Sequence, residues 1–477
     1  MLGSLTNGEK TSALLITVLM IGVLGLFTSP VSSEQIVTPP DTYISQFGPG
    51  FDEVVIASST DGLDEPRDLE FHPGIGRSDE LWVVNRADDS MVIIHKTGTP
   101  EQTSEERLDA YRNHFMEEVS AIAFGAYHDE FDYQFGTAQE SRNTYNGASN
   151  PNDFMGPALW PSSLDHFAVE NQNGENGLLG SHIDMLHESP LGMGIAHDYD
   201  NVYWYNDGFY NELVRYDFQQ DHDTGEHDHS DGIVHRYSEI ELSRFAGIPG
   251  HMTLDKDTGI LYISDTGANR VLWVNTHDTT ITSVDIYDDP TRVESLAEYM
   301  RVTDVEWGIF DTGISRPSGI ALYDGTLFVS QNGNGKITGF NLDPDGKGFS
   351  NSRTVNTNAG SIMGLEVGPE GKLWYVDSLN NIVVRLDPHE DADFDQVRDS
   401  LDAYPNNSLL WSDNDGDGYA DQQGTGISDD CPDTYGSSTS GSLGCLDSDG
   451  DSWSDEDDEF PMDCLLYTSD AADETER

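Results

Sequence analysis

One stretch of the chain reads Gly250-His251-Met252-Thr253-Leu254, followed after a turn by Leu261-Tyr262-Ile263-Ser264-Asp265 and then by Val271-Leu272-Trp273-Val274. In the first segment the third and fifth positions are apolar, whereas the second and fourth are polar. Alternation with a period of two is typical of a β-strand that buries one face. The stretch therefore predicts short antiparallel strands joined by polar turns.

The same arrangement recurs along the chain. The first segment returns as Arg67-Asp68-Leu69-Glu70-Phe71, Ser120-Ala121-Ile122-Ala123-Phe124, Met193-Gly194-Ile195-Ala196-His197, Ser318-Gly319-Ile320-Ala321-Leu322 and Met363-Gly364-Leu365-Glu366-Val367. The second segment returns as Leu81-Trp82-Val83-Val84-Asn85, Val202-Tyr203-Trp204-Tyr205-Asn206, Leu327-Phe328-Val329-Ser330-Gln331 and Leu373-Trp374-Tyr375-Val376-Asp377, with Phe131-Asp132-Tyr133-Gln134-Phe135 as its weakest copy. Such repetition indicates an architecture built from similar units.

Six units of roughly 45–70 residues predict an all-β protein with a six-bladed β-propeller over residues 46–388. The Leu-x-Val-x-Asp…Asn-x-Val pattern resembles the NHL-repeat family, which implies this architecture but says little about chemistry. The segment Glu53-Val54-Val55-Ile56-Ala57 precedes the first unit, whereas no fourth strand follows Leu386. We expect this N-terminal strand to complete the last blade, so that the ring has no open edge.

The composition excludes some classes of function. The 477 residues include 87 acidic and 23 basic side chains, for a formal net charge of −64, and 36% are hydrophobic. Because contacts with nucleic-acid phosphates need clustered lysine and arginine, we expect no nucleic-acid partner. The expected partner is an unidentified extracellular ligand, either a protein or a glycan.

The N-terminal segment predicts export. Residues 13–27 form an apolar run after Lys10, and small residues at 31–33 offer a cleavage site. The run is short for a membrane span, which needs about 20 apolar residues, so residues 1–33 are interpreted as a signal peptide. An uncleaved anchor is the alternative, and it would be the only membrane contact. Either reading predicts a secreted or cell-surface protein.

Acidic side chains in the C-terminal part of the chain follow a fixed spacing. They occur at relative positions 1, 3, 5 and 9 of three copies, and at position 12 of the first and third copies. The copies comprise Asp391, Asp393, Asp395, Asp399 and Asp402; Asp413, Asp415, Asp417 and Asp421; and Asp447, Asp449, Asp451, Asp455 and Asp458. Calcium prefers six to eight oxygen ligands, which this spacing brings together, so the pattern predicts calcium binding. The first copy is the least favourable, since it lacks glycine at positions 4 and 6.

The core Asp-x-Asp-Gly-Asp-Gly-x-x-Asp and the segment Asp430-Cys431-Pro432-Asp433 resemble thrombospondin type 3 repeats. The resemblance implies an extracellular, calcium-ordered and loop-rich stalk over residues 389–463. Cys431 and Cys445 are expected to pair in an exported chain, which leaves Cys464 over. Residues 464–477 break the pattern and resemble translated adapter sequence, so this doubtful tail is assigned no function.

Histidines are concentrated in insertions near the second and third units: His166, His182, His187, His197, His222, His227, His229 and His235. The segment containing His182, Asp184 and His187 is predicted to lead into the innermost strand of the third blade. We expect these three side chains, His251 and Asp68 to lie at one mouth of the central channel. Imidazoles and carboxylates there suit zinc or another transition-metal ion, while solvated loop histidines are the alternative.

The loop at residues 221–232 is predicted to lie on the opposite face of the propeller, near its rim. Its acids, with His227 and His229, can wrap a cation, although a solvated hairpin loop fits the sequence equally well.

Three arginines form a second candidate site. Arg67, Arg142 and Arg316 are expected near the channel mouth, where guanidinium groups can bind a carboxylate ligand. Surface ion pairing is the alternative. The repeat pattern also resembles propeller lyases that release α-amidated peptides, but the histidines those enzymes carry at the first position of inner strands are absent here, so that activity is not expected.

Two functions therefore remain open. The leading one is an exported calcium-binding protein whose propeller is a recognition or binding module on an acidic stalk. The alternative is a metal-dependent hydrolase or lyase at the channel mouth, and a structural spacer is a third reading. The sequence leaves undecided whether the protein is an enzyme.

Overall fold

The computed structural model describes residues 43–145 and 147–464. The predicted signal peptide or anchor at residues 1–33 and nearly all of the doubtful C-terminal tail lie outside the described residues. Within the described ranges, no helix has the length and apolar character needed to cross a membrane.

The described chain is almost entirely β-structure with short helical turns. In chain order the strands are β1 (Phe51–Ala57), β2 (Pro66–Phe71), β3 (Leu81–Asn85), β4 (Ser90–His95), β5 (Thr103–Arg107), β6 (Val119–His128), β7 (Asp132–Gln139), β8 (Ala158–Pro161), β9 (Asp184–Met185), β10 (Gly192–His197), β11 (Val202–Asp207), β12 (Glu212–Asp217), β13 (Ile233–Glu241), β14 (Met252–Asp255), β15 (Ile260–Asp265), β16 (Arg270–Asn275), β17 (Thr282–Asp285), β18 (Glu298–Thr303), β19 (Trp307–Thr312), β20 (Pro317–Tyr323), β21 (Thr326–Gln331), β22 (Lys336–Leu342), β23 (Phe349–Asn356), β24 (Ile362–Val367), β25 (Leu373–Asp377) and β26 (Ile382–Pro388). The helical turns are Ser59–Asp61, α1 (Arg112–Phe115) and Glu175–Gly177.

The strands form the six blades of a propeller. The sheets have the orders β2-β3-β4-β5, β6-β7-β8-β9, β10-β11-β12-β13, β14-β15-β16-β19, β20-β21-β22-β23 and β24-β25-β26-β1, with two extra strands on the third. The innermost strands β2, β6, β10, β14, β20 and β24 each contact the next, and β24 contacts β2. The predicted six-bladed, all-β fold is confirmed.

The ring closes through the N-terminal strand, as the sequence predicted. β1 pairs antiparallel with β26, with Val54 opposite Arg385 and Val55 opposite Val384. Because β1 comes from the start of the propeller and β26 from its end, the last blade joins the two ends of the chain. This pairing covers the edge that β26 would otherwise expose.

A recurrent turn shapes the blades. The hairpins between the second and third strands of five blades each contain a residue with a left-handed backbone conformation, and these are Asp89, Asn211, Asn269, Gly335 and Asn381. Asp, Asn and Gly adopt this conformation more readily than other residues, which explains the polar turns seen in the sequence. The second strands themselves are buried along their length because the neighbouring blades cover both faces, as in β3.

Two features of blades two and three differ from the prediction. The fourth strand of blade two, β9, has only two residues, and the sequence pattern did not reveal it. Residues 181–183 therefore lie between the third and fourth strands of blade two, not before blade three. In addition, β17 and β18 belong in sequence to blade four but extend blade three, where β18 runs parallel to β13.

Residues 389–464 contain no strand in the described structure beyond isolated bridges between Ala420 and Ser428 and between Ser440 and Trp453. Few apolar side chains are buried in this region. Cys431 and Cys445 form the expected disulfide, and Cys464 is free and exposed. Because little apolar surface is buried, loop hydrogen bonds and the disulfide shape this part of the protein.

Candidate metal centres

The three acidic copies fold into loops with the same hydrogen bonds. The first aspartate of each accepts a hydrogen bond from the backbone N–H of the sixth residue: Asp391 from Gln396 at 3.2 Å, Asp413 from Gly418 at 3.0 Å and Asp447 from Ser452 at 2.9 Å. The aspartate at position 9 of each loop accepts a hydrogen bond from the backbone N–H of the residue at position 2. These aspartates are Asp399, Asp421 and Asp455. The regular spacing therefore corresponds to one repeated loop geometry.

The first loop adopts this geometry without glycine. Phe394 and Gln396, at positions 4 and 6, have φ angles of 62° and 79°, close to those of Gly416 at 78° and Gly418 at 97°. A left-handed conformation is unfavourable for residues with a Cβ atom, so the first loop carries local strain. One compensating contact is visible, because the ring of Phe394 packs edge-to-face on Tyr43 with centroids 4.9 Å apart.

Each loop brings carboxylate oxygens together. One oxygen from each of the first, third and fifth aspartates lies within 4.8 Å of the others in all three loops. Several buried carboxylate oxygens have no hydrogen-bond partner among the described residues: Asp391 Oδ1, Asp393 Oδ2, Asp395 Oδ2, Asp402 Oδ2, Asp415 Oδ2, Asp429 Oδ2 and Asp449 Oδ2. Such oxygens can accept a metal ion.

Asp429, which was not among the predicted ligands, lies beside the second loop. It is fully buried, and its carboxylate lies near Asp415, Asp417 and Asp421. The second copy has Gly424 at position 12, where the other copies have aspartate, so Asp429 supplies a carboxylate from further along the chain. The only sequence signal was its position two residues before Cys431.

The acidic loops are electrostatically unfavourable without a cation. Burial, together with the neighbouring carboxylates, raises the pKa of Asp393, Asp395 and Asp429 above the ordinary value of 3.8. Asp402 contributes to this repulsion in the first loop and Asp458 in the third. A bound cation would remove the repulsion and hold the groups ionised.

A second candidate centre consists of histidines from two loops. His182 lies between β8 and β9, and His222 and His229 lie between β12 and β13. One ring nitrogen of each lies within 4.8 Å of the others. Both loops join third and fourth strands of neighbouring blades, so they share one face. The loop at 221–232 is therefore not opposite His182, contrary to the prediction, because blade two ends in the short β9.

Burial holds the rings of His182 and His222 neutral. Burial and the neighbouring histidines lower the pKa of His182 well below its ordinary value. Burial also lowers the pKa of His222, to about 4. A neutral imidazole has a lone pair available for a metal ion, so the environment suits ligation.

His187 contributes to an adjacent group. It shares Glu294 with His229: Glu294 Oε2 is 3.0 Å from His187 Nδ1 and 3.6 Å from His229 Nδ1. Although burial opposes ionisation, the charge of His187 and hydrogen bonding by His187 and His229 lower the pKa of Glu294 to about 2. Glu294 lies between β17 and β18, and nothing in the sequence indicated that this insertion would reach blade three.

A cavity of about 410 Å³ borders this histidine group. Its wall includes the aromatic rings of His114, Tyr145 and Phe154 beside His187, His229 and Glu294. The ring of Phe154 stacks on His187 with centroids 3.7 Å apart. The cavity therefore combines apolar faces with imidazole and carboxylate groups, as ligand sites commonly do.

His251 and Asp68 lie together, but apart from the histidine group. His251 Nδ1 is 3.5 Å from Asp68 Oδ1, and its Nε2 is 3.0 Å from the Ser120 carbonyl oxygen. Both side chains line a cavity of about 190 Å³ formed by the inner strands, with Glu70 and Glu366. The structure thus divides the five predicted ligands, because His182 and His187 lie with His222, His229 and Glu294 instead.

Asp184, the remaining member of that set, lies on β9. It is buried, its Oδ1 accepts a hydrogen bond from the Met185 N–H at 2.7 Å, and its Oδ2 lacks a partner within the described structure. Burial raises its pKa well above the ordinary value. It joins none of the groups of potential ligands found in the described residues.

The three candidate arginines already have partners within the protein. Arg67 Nη1 donates to Ser378 Oγ at 2.7 Å, and Arg142 Nε donates to Asp153 Oδ1 at 2.8 Å. The guanidinium of Arg316 lies 4.3 Å from the ring centroid of Phe245. A carboxylate ligand would have to compete with these contacts.

No protein-family model matches the chain, and no curated protein matches it. Among solved structures, an auxiliary nutrient binding protein from Bacteroides ovatus is 10% identical, with 72% of this chain and 78% of that chain covered and a TM-score of 0.42. The PQQ-bound aldose sugar dehydrogenase from Streptomyces coelicolor is 16% identical, with coverages of 73% and 99% and a TM-score of 0.40. A virginiamycin B lyase from Staphylococcus aureus is 10% identical, with coverages of 71% and 98% and a TM-score of 0.39. Similarity at this level carries no inference about function.

Proposed function

We propose that this protein is an exported calcium-binding protein in which the β-propeller is a binding module and residues 389–463 form a calcium-ordered stalk. The observation that supports this most directly is the set of buried carboxylate oxygens, without hydrogen-bond partners among the described residues, in three loops of the same geometry. Asp391, Asp393 and Asp429 are 7%, 2% and 0% exposed, respectively.

Calcium accounts for this arrangement better than a bare acidic loop does. Burying an ionised carboxylate without a partner is costly, and placing several within 4.8 Å adds repulsion. A calcium ion takes six to eight oxygen ligands in a flexible geometry, whereas magnesium requires a near-ideal octahedron. Some of the carboxylates, such as that of Asp429, come from outside the repeated spacing. The flexible coordination geometry of calcium tolerates ligands placed in this way.

Export is supported by the apolar N-terminal segment and by the Cys431–Cys445 disulfide. Disulfides persist in oxidising compartments, where calcium is also plentiful enough for weak sites. The propeller would then present its loops to an extracellular protein or glycan.

A metal-dependent hydrolase or lyase remains the second candidate. The observation that favours it is the cavity of about 410 Å³ beside His187, His229 and Glu294. In this reading the reaction would take place on the loops of blades two and three, not at the channel mouth.

Calcium titration of the chelated full-length protein tests the proposal. We expect calorimetry to detect calcium binding, and limited proteolysis to show that cleavage sites after Asp391 become protected. Asp429→Asn should weaken one class of sites by about tenfold, the equivalent of roughly 1.4 kcal/mol.

Asp433→Asn provides the control, because Asp433 is exposed and lies outside the groups of clustered carboxylates. This variant removes the same charge but no proposed calcium ligand, so calcium affinity should be unchanged. Equal calcium affinity in the parent and the Asp429→Asn variant, or unchanged proteolysis after calcium addition, would contradict the proposal.

A further inference from the structure

Three imidazole rings from two separate loops converge at His182, His222 and His229. The ring centroids of His182 and His222 are 5.3 Å apart, as are those of His222 and His229. One nitrogen from each ring lies within 4.8 Å of the other two. Nitrogens bound tetrahedrally to one metal ion at about 2.1 Å lie about 3.4 Å from one another, so a contraction of the loops by at most about 1.4 Å would reach that spacing.

The hydrogen bonds of the rings define which nitrogen is free. His182 Nδ1 is 2.8 Å from the Leu179 carbonyl oxygen, and His222 Nδ1 is 2.8 Å from the Asp223 carbonyl oxygen. Because a carbonyl oxygen can only accept, each Nδ1 must carry the hydrogen, and each Nε2 of a neutral ring then carries a lone pair. For His229 the corresponding contact is longer: its Nδ1 lies 3.6 Å from the carboxylate of Glu294, whose negative charge favours the hydrogen on that nitrogen.

The Nε2 atoms of all three rings are buried and lack a hydrogen-bond partner in the part of the chain that the structure describes. Three clustered acceptors without a donor are unfavourable in a protein interior. We propose that His182 Nε2, His222 Nε2 and His229 Nε2 bind a divalent transition-metal ion of the zinc type.

The ligand chemistry selects the class of metal. Neutral imidazoles suit zinc, copper or nickel, whereas calcium prefers oxygen ligands. The site is therefore chemically distinct from the acidic loops, and it extends beyond the proposed calcium-binding function.

The outer contacts are those that orient metal-binding histidines. A ligating histidine usually donates its other N–H to a carbonyl or carboxylate group, which fixes the ring and increases its basicity. Leu179, Asp223 and Glu294 supply these acceptors here. Glu294 also binds His187, so it is a positioning residue for both rings.

The site borders a space large enough for a small molecule. His229 lines the cavity of about 410 Å³ together with His187, Tyr145 and Phe154. Three protein ligands leave a fourth coordination position for water or another ligand. A molecule in the cavity would therefore lie next to the ion.

Metal titration of the chelated full-length protein, performed in saturating calcium, tests the inference. Saturating calcium competes for the acidic loops, so that zinc binding measured in its presence reports on the histidines. We expect one zinc ion per chain by calorimetry, and cobalt(II) in its place should give the visible absorption of a four-coordinate site with three imidazole ligands. Absence of both signals from the parent protein overturns the proposal without any variant.

Two variants of one loop identify the ligands. His222→Ala should weaken zinc binding by about tenfold or more. His227→Ala should leave it unchanged, because His227 is exposed and its Nε2 is bonded to the Gly177 carbonyl oxygen at 2.8 Å. Equal zinc affinity in the parent and His222→Ala, or equal losses in both variants, would overturn the assignment. A circular-dichroism spectrum and an unfolding temperature equal to those of the parent confirm that the propeller of each variant is folded.

Discussion

Glu366 shares the inner cavity of the propeller with Asp68 and Glu70. Burial, together with the nearby carboxylate of Asp68, raises the pKa of Glu366 to about 8. Burial and the charge of Glu366 also raise the pKa of Glu70 well above its usual value. At neutral pH the folded protein therefore holds protons that its unfolded chain would release.

This proton retention predicts a pH dependence of stability. Unfolded glutamic acid loses its proton near its ordinary pKa of 4.5, whereas folded Glu366 keeps it up to about pH 8. The folded state binds more protons in this range, so the free energy of unfolding should fall as pH rises from about 5 to 8. Glu366→Gln should make this fall shallower in urea unfolding measured with saturating calcium.

Glu370→Gln is the matched control, because Glu370 is close in sequence but its side chain is 74% exposed. It should leave the pH profile unchanged. A Glu366→Gln profile that is parallel to that of the parent would contradict the assignment of a raised pKa.

The histidine site was only partly predictable from the sequence. His182 was predicted as a ligand from its sequence neighbourhood, but its partners His222 and His229 were assigned to the opposite face. The error arose because β9 has two residues, too few to produce a periodic signal. Glu294 had no signal either, since its role depends on an insertion in one blade that packs on another.

Strand β1 is the element on which closure of the ring depends. It is the outermost strand of blade six, and it covers the edge of β26. The segment before it adds Ile44 and Phe47 to the core between blades five and six. Removing this segment exposes both a strand edge and apolar surface.

A chain that begins at Ser58 should therefore have a lower thermal unfolding temperature and should self-associate. The unpaired backbone groups of β26 provide a template for pairing with another chain. Differential scanning calorimetry and light scattering measure these effects, and a synthetic peptide of residues 43–57 should reverse them. A monomeric truncated protein with the unfolding temperature of the parent would contradict this role of β1.

The acidic loops show how far a pattern can identify an element. Positions 1, 3, 5 and 9 were visible in the sequence, and in the structure all three loops share one pattern of hydrogen bonds. The first loop forms although it lacks glycine, because Phe394 and Gln396 adopt left-handed conformations. Metal occupancy of these loops stays a prediction.

The charge of the whole molecule has a consequence for its stability. A net charge of −64 destabilises a compact state through self-repulsion, which salt screens over a Debye length of about 10 Å at 0.1 M. In chelator, the unfolding temperature should rise as sodium chloride increases from about 0.05 to 0.5 M. Saturating calcium should make this dependence shallower, because bound ions neutralise part of the charge.

Parallel salt profiles of the unfolding temperature, with and without calcium, would contradict this expectation. Magnesium is the control cation, since it has the same charge but fits irregular carboxylate loops less well. It should leave the salt dependence closer to that measured in chelator.

Architecture and acidic loops were predictable because their signals are local. Period-two alternation in the inner and second strands specifies a buried face, and a calcium-type loop is built within about 12 consecutive residues. Both could be read from neighbouring positions along the chain, as could the closing role of β1 from the missing fourth strand of the last unit.

Contacts between side chains from distant segments of the sequence were determined only by the tertiary structure. Asp429 lies beside the second loop, and His182 lies beside His222 and His229, because the lengths of β9 and of the intervening connections set their positions in space. Glu294 reaches the same place through β17 and β18, which leave blade four and pair with blade three. Contacts of this kind depend on long-range packing, for which short-range periodicity carries no information.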